Sequence, residues 1–242
     1  MRVLFWSGCL ARRRVQDSVN AALKILEKLG YEVVRLNNEG CCGDPLMLAG
    51  YTQYALENAK KVARTISDAN VDLIVTGCAG CYRGFSDYED YGVDIPKVKH
   101  MVHIVAENLE KIKFKQTEKE KVVYHDPCEL GRWSGVYDEP RKVLSSVAEV
   151  VEPLLSKEEA RCCGGGGGML TVKADLSIRV GEIRIERDIE PTGVKKIVTA
   201  CPACYSTLSL AAGKRWIATG RKKGERIEVL DFSPYILSKM EV

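Results

Sequence analysis

Leu73-Ile74-Val75-Thr76-Gly77-Cys78-Ala79-Gly80-Cys81 is the stretch on which the reading of this chain turns. Val71 to Thr76 is a short apolar run of strand length, and it delivers a Cys-x-x-Cys pair at its carboxyl end. Lys196-Ile197-Val198-Thr199-Ala200-Cys201-Pro202-Ala203-Cys204 repeats the arrangement. A strand that ends on sulfur, written twice, predicts a duplicated protein with one cysteine-bearing loop cluster per copy.

Working outward, the other cysteines obey the same repeat. Cys9 is followed by 31 residues, then Cys41-Cys42-Gly43, then 34 residues before Cys78. Cys128 is followed by 33 residues, then Cys162-Cys163-Gly164, then 36 residues before Cys201. All 10 cysteines fall into these two quintets. Ile74-Val75-Thr76 matches Ile197-Val198-Thr199, Glu32-Val33-Val34 matches Glu149-Val150-Val151, and Cys81-Tyr82 matches Cys204-Tyr205.

The segments between the cysteines alternate in type. Val3–Ser7 and Tyr31–Leu36 read as strands, with a helix over Val15–Leu29 that Gly30 closes. Residues 51–70 and 98–109 read as helices, and the charged stretch 111–121 as a linker. The second half offers strands at 122–125, 149–151 and 196–199 and helices at 138–147 and 173–189. A strand at 227–230 and a helix from Ser233 follow. Alternating strands and helices imply parallel sheets with right-handed crossovers. The expected fold is α/β, with two duplicated Rossmann-like domains over residues 1–115 and 116–242, related by pseudo-twofold symmetry. Such sheets gather their sites at the carboxyl ends of the strands, so three loops should converge in each half.

The bulk numbers exclude several classes. The chain has 242 residues, 45% of them hydrophobic, with 36 basic against 33 acidic side chains. That near balance gives no reason to expect nucleic-acid binding. The apolar run at Met1–Ser7 is too short for a signal peptide, and no stretch approaches the roughly 20 apolar residues of a membrane span. A cytoplasmic protein is expected, where clustered cysteines hold metal or do redox chemistry more readily than they form disulfides.

Thiolates select soft or borderline metals, chiefly zinc and iron–sulfur clusters. Adjacent cysteines in extended backbone point to opposite faces, so Cys41 and Cys42 can meet one centre only through a sharp turn. Gly43 and Gly164 permit that turn. Tetrahedral zinc and an ordinary cubane each take four ligands, and each half offers five. Either one cysteine per half is spare or the centre is of another type.

Both quintets resemble the cysteine-rich "CCG" domain found in the heterodisulfide reductase family, in the reductase subunit that carries two such domains. Its relatives include iron–sulfur subunits of anaerobic glycerol-3-phosphate, glycolate and lactate oxidation systems. His125-Asp126-Pro127-Cys128, Asp138-Glu139-Pro140-Arg141 and the five glycines after Cys163 carry the same resemblance. It implies a non-cubane [4Fe-4S] cluster on Cys9, Cys41, Cys42, Cys78 and Cys81 and another on Cys128, Cys162, Cys163, Cys201 and Cys204. It also implies that the two clusters face each other across the domain interface and cleave a small-molecule disulfide, or form it from thiols, in one-electron steps. Some relatives keep zinc in one domain, so structural zinc stays open for either half. The sequence holds no ferredoxin-type run of cysteines and no Gly-x-Gly-x-x-Gly after a strand, so electrons would come from a ferredoxin-like iron–sulfur subunit and a flavoprotein. Two rivals stand beside this reading: an electron relay from a hydroxy-acid or glycerol-3-phosphate dehydrogenase towards quinone, and a structural zinc protein.

Weaker signals complete the expectation. His125, three residues before Cys128, could donate a proton to a leaving thiolate or could be structural. His100 and His103 could share a metal, or could lie on a solvated helix face. Gly164–Gly168 lacks the Gly-Lys-Ser/Thr ending of a phosphate loop and reads as backbone packed against a cluster. Arg12-Arg13-Arg14, Lys214-Arg215 and Arg221-Lys222-Lys223 are basic clusters that could steer an anionic partner or form ordinary charged surface.

Overall fold

In a computed structural model, the described residues are 1–220, 222 and 225–241. Arg221 and Lys223 of the last basic cluster lie outside them. The first half runs β1 (Arg2–Trp6), α1 (Cys9–Arg14), α2 (Gln16–Lys28), β2 (Glu32–Val34), α3 (Asp44–Leu48), α4 (Thr52–Ser67), β3 (Leu73–Thr76), α5 (Ala79–Ser86), β4 (Val98–His100) and α6 (Met101–Glu107). The second half runs β5 (Lys121–His125), α7 (Asp138–Val147), β6 (Glu149–Val150), α8 (Met169–Val172), α9 (Ala174–Arg184), β7 (Lys196–Thr199), α10 (Pro202–Thr219), β8 (Glu228–Asp231) and α11 (Phe232–Lys239).

Each half forms a four-stranded sheet, ordered β2-β1-β3-β4 and β6-β5-β7-β8. All pairings within both are parallel, with Val3 opposite Leu73 in the first and Val123 opposite Ile197 in the second. Identical strand order in the two halves is the duplication in three dimensions. Strand β3 is buried throughout, and β1 and β5 are buried after their first residue, as strands covered on both faces must be.

The halves join by exchange of like for like. Helix α2, which follows the first strand of its sheet, packs on α11, which follows the last strand of the other sheet; α7 packs on α6 in the reciprocal relation. That reciprocity is the mark of pseudo-twofold symmetry. A single apolar core crosses the seam, containing Val3, Ile25 and Ile104 from the first half and Val123, Leu144 and Ile236 from the second. A second core, around Trp6, Ile66 and Phe85, fills the far face of the first sheet.

Several expectations shift at the residue level. Strand β4 occupies the start of the segment read as helix 98–109, because three residues carry too short a pattern to announce a strand. Its last residue, His100, is buried and accepts a hydrogen bond from Val102 N at 3.2 Å, while His103 Nδ1 accepts from His100 N at 3.1 Å. The two histidines thus fasten the start of α6 to the sheet; His100 is on no solvated face. Helices α5 and α10 begin inside the two Cys-x-x-Cys pairs, in segments whose sequence announces only the sulfur. The 111–121 stretch is not a plain linker: Phe114 bridges Met240, and Lys115 N donates to Lys239 O at 2.8 Å.

Candidate metal centre and shared cavity

Three loops converge in each half, and local chemistry sets each one. After β1, Gly8 adopts φ 81°, and a Cβ there would stand 3.1 Å from Cys81 Sγ. The buried Glu39 carboxylate accepts from Ser7 N at 2.9 Å and Gly8 N at 2.8 Å, pinning the turn that presents Cys9. The Cys41-Cys42 turn is held by Asn58 Nδ2 on Cys41 O at 2.9 Å and Tyr88 Oη on Cys42 O at 2.7 Å. Gly43 then takes φ 92°, the left-handed conformation that the adjacent pair demands. Cys78 caps α5 and Cys81 sits in its first turn; both thiols are raised, Cys78 first by its hydrogen bond with Cys201 and Cys81 first by that with Cys42.

The second half uses the same plan. Gly164 N approaches Cys162 Sγ at 3.2 Å and Gly165 N approaches Cys163 Sγ at 3.3 Å, so main-chain donors point at both sulfurs. Ser177 Oγ donates to Gly164 O at 2.7 Å and fixes the turn. Cys201 caps α10, with Pro202 in the first helical position, and Cys204 follows in the first turn.

The two quintets open into one space. A cavity of about 310 Å³ is lined by Cys9, Cys41, Cys42, Cys78 and Cys81 from the first half and by Cys128, Cys163, Cys201 and Cys204 from the second. Cys162 alone stands outside that lining and is exposed. Helix α1, which begins at Cys9, packs on α10, which carries Cys204. None of the ten cysteines is in a disulfide.

Crowded thiols divide into acids and bases. Cys42 is lowered to about 5, first by the Cys41 and Cys81 thiols. Cys162 is lowered by Cys128 and Cys163, and Cys201 by Cys204 and then by Cys78 across the seam. Cys9 and Cys128 are raised, each first by its interaction with a neighbouring thiol, Cys41 and Cys162 respectively. Sulfurs that must share protons in this way are sulfurs placed to share a metal instead.

The donor set fits a thiolate-held centre on three observations: soft sulfurs that converge without pairing, backbone N–H groups aimed at two of them, and glycines where a side chain would block them. Gly8 is the clearest such position, since a Cβ there would lie 3.1 Å from Cys81 Sγ and 4.0 Å from Cys78 Sγ. Iron–sulfur and zinc both suit these donors.

His125 is buried behind the cysteines and does not line the cavity. One ring nitrogen lies within 4.8 Å of the Cys163 and Cys204 sulfurs. Burial, then the charge of Arg184, lowers it to about 4, so the ring is neutral near pH 7. Arg184 Nε approaches His125 Nδ1 at 3.4 Å, which leaves the proton on Nε2, an atom without a partner among the described residues.

Sequence reasoning missed two carboxyls in the cavity wall, Asp44 and Glu129. Each is adjacent or nearly so to a cysteine, but acids are common and neither is repeated in the other half. Asp44 is raised to about 7 by burial and then by the charge of Glu129. It also missed the basic residues' true partners. Arg12 sits 3.3 Å from Glu39, and Lys214 and Arg215 pair with Glu182 and with Glu186 and Glu190. Arg13 and Arg14 are exposed.

The model of the cysteine-rich domain named CCG matches residues 3–86 and again 122–209. The chain belongs to the cysteine-rich CCG domain family. Each copy of the CCG match contains one complete quintet. An uncharacterised iron–sulfur protein of Methanocaldococcus jannaschii is 35% identical over 204 residues, 84% of this chain and 40% of its own length. One of the fumarate reductase (CoM/CoB) subunits of Methanothermobacter marburgensis is 34% identical, with 84% of this chain and 40% of that protein aligned. One of the dihydromethanophenazine:CoB–CoM heterodisulfide reductase subunits of Methanosarcina barkeri is 34% identical over 86% of this chain and 53% of its own. The CCG chain thus spans about half, or less, of the length of these relatives.

Proposed function

We propose that this CCG protein is an iron–sulfur redox subunit in which each quintet holds a [4Fe-4S] centre of non-cubane type. In this reading the cavity between them is where a thiol/disulfide couple exchanges electrons. The observation that carries it is the shared wall: cysteines of both halves face one space. Two separate structural zinc sites would have no need to open towards each other.

When bound, the centres supply one-electron steps at iron and sulfur. The chain's own residues do the rest. Helices α5 and α10 hold Cys78 and Cys201 at their N-termini, and of the two it is Cys201 whose thiolate is favoured, first by Cys204. Glycines 165–168 leave bare backbone on one wall, so that a substrate sulfur can approach. Asp44, half-protonated near pH 7, is placed on the wall to pass a proton to a thiolate product. His125 does not reach the cavity; its place in this reading is behind Cys163 and Cys204, keeping a proton on Nε2 beside the ligand sulfurs.

Reduction of one disulfide consumes two electrons and two protons and yields two thiols. The electrons come from a separate ferredoxin-like iron–sulfur subunit, with a flavoprotein further upstream, in a cytoplasmic complex. No helix among the described residues is long and apolar enough to cross a membrane. The likeness to named reductase subunits over most of this chain supports the assignment of an oxidoreductase subunit.

The test is iron, zinc and acid-labile sulfide content of anaerobically purified protein, with an EPR spectrum of the oxidised sample. About eight irons and eight sulfides are expected, two four-iron centres, with a signal that changes when a thiol or disulfide is added. Iron with a signal indifferent to both would favour the relay towards quinone. Zinc without iron would end the redox reading.

A further inference from the structure

Two buried ring nitrogens without partners stand at matching places in the two halves. Each strand that leads to the first cysteine of a quintet ends on an aromatic ring three residues before it, Trp6 before Cys9 and His125 before Cys128. Trp6 Nε1 and His125 Nε2 are both buried and have no hydrogen-bond partner among the described residues. Trp6 packs in one core with Cys42 and Cys81, and a His125 nitrogen lies within 4.8 Å of the Cys163 and Cys204 sulfurs. Buried donors left without an acceptor are costly, so an acceptor belongs beside each.

Position alone would let the imidazole be a further ligand of the second centre, since neutral histidine binds metals readily. Arg184 decides against that. A guanidinium can only donate, and its Nε is directed at His125 Nδ1 at 3.4 Å. Nδ1 therefore keeps its lone pair for Arg184, and the ring proton sits on Nε2, which has no lone pair left for a metal. Arg184 is wholly buried and is itself fixed by Asp188 Oδ2 at 2.9 Å and Leu155 O at 2.7 Å. Asp188 lies on the π-helical turn Ile185–Ile189 that follows α9.

The first half supplies the control. Ser177 and Ala55 are counterparts, because the carbonyl of each faces the glycine after its cysteine pair, Gly164 and Gly43. On that alignment Val62 takes the place of Arg184. The indole of Trp6 is a donor by its covalent structure and needs nothing to fix its proton, whereas an imidazole has two tautomers. The arginine is present where the ring is histidine, and an aliphatic side chain where it is tryptophan.

We infer that His125 is an N–H donor to sulfur of the second centre, held in that tautomer by Arg184, and not one of its ligands. The inference rests on the iron–sulfur reading above and adds a positioning pair to it. Hydrogen bonds to the sulfurs help set the potential of such a centre, and a donor here stabilises the reduced, more negative state.

The experiment uses anaerobic holoprotein whose iron, zinc and sulfide have been counted. With isotopically labelled histidine, pulsed EPR of the second centre should show a weak nitrogen coupling that is absent from His125→Gln protein labelled likewise. In an EPR-monitored redox titration, His125→Leu should lower the potential of the second centre and leave the first. At the parent's midpoint the ratio of oxidised to reduced second centre should rise about tenfold, which is ~59 mV for one electron. His125→Gln, which keeps an N–H, should recover most of the shift. The double variant Arg184→Leu/Asp188→Leu, which frees the tautomer, should show part of it. A coupling as strong as that of a directly bound imidazole would overturn the inference, and so would no coupling at all. An unshifted second-centre potential in His125→Leu protein that retains its iron would overturn it too. Should His125→Leu lose that iron, the coupling in the unmodified protein decides. Zinc without iron would overturn instead the iron–sulfur reading.

Discussion

Arg83, on the helix that carries Cys81, forms a 2.7 Å ion pair with Glu129, the residue beside Cys128. The same guanidinium lies 4.2 Å from the centre of the Trp133 ring and 3.5 Å from Asp87. One side chain of the first half therefore braces the first cysteine loop of the second. Both members of the pair are mostly buried, at 19% and 13% side-chain exposure, so water screens them only in part.

Replacing Arg83 with Met should cost about 1–3 kcal/mol, because Glu129 loses its cation while staying largely out of water. Anaerobic urea unfolding measures this. A loss under about 0.5 kcal/mol would mark the contact as an ordinary surface pair.

Two neighbouring glycines should answer differently to the same change. Gly165→Ala drives a Cβ into Thr207 Oγ1 and Ala203 O and should cost about 1–3 kcal/mol, with loss of iron from the second quintet. At Gly166 a Cβ meets nothing within 4 Å, and φ is not in the left-handed region. Gly166→Ala should stay within about 0.5 kcal/mol of the parent. Thermal unfolding and iron content, measured on both variants, decide it.

Cys163→Ser should abolish the spectrum of the second centre while leaving that of the first. Cys162→Ser should do the same even though Cys162 does not line the cavity, because its sulfur receives the Gly164 N–H in the same turn. A full second-centre spectrum in either variant would remove that residue from the ligand set.

Behind the second quintet lies a wholly buried pair, Arg184 and Asp188, at 2.9 Å. Asp188→Ala leaves the Arg184 guanidinium buried with, among the described residues, only His125 Nδ1 and Leu155 O as hydrogen-bond partners, and also removes the carboxylate that Arg161 pairs with. A loss of about 3–5 kcal/mol is expected, the usual consequence of orphaning a buried charge. Converting both residues to Leu should recover much of it. A double variant no better than the single would contradict the argument.

Stability should also fall with rising pH on account of Asp231. Burial raises its carboxyl to about 7, against roughly 4 in the unfolded chain. Between those values the folded state holds the extra proton, so its contribution is full below about pH 4 and is lost as pH climbs through about 7. Asp231→Asn keeps an oxygen to accept from Ser233 N, a 3.1 Å contact that caps α11, and should flatten the slope. Urea midpoints across that range, compared between the two proteins, check the sign.

The sheets, their duplication and the cysteine quintets could be read from the chain because their signals are local and repeated. Leu73 to Thr76 and Lys196 to Thr199 are apolar runs of strand length, and the sulfur spacing is far from chance. Strand β4 escapes such a reading because Val98-Lys99-His100 is too short to show a period. The shared cavity could not be measured from the chain at all. It exists because α1 packs on α10 and because α2 and α6 cross to the other half, and no spacing within either quintet records a contact between them. Asp44 and Glu129 became visible only with that cavity, since an acid next to a cysteine says nothing until one sees which space it faces.

The apolar core that passes unbroken from Val3 to Ile236 bears on how such a chain could have arisen and how it can be divided. A half-length precursor would have exposed the faces now covered by α2 against α11 and α6 against α7. The covering available to it was a second copy of itself, arranged as the two halves are here. The two copies now differ around their cysteines, Gly165 standing opposite Asp44 and Leu10 opposite Glu129. A chain severed in the 113–120 segment should follow the same logic in reverse. The pieces are expected to be insoluble when expressed singly and to recombine when co-expressed, as partners made for one another's interior.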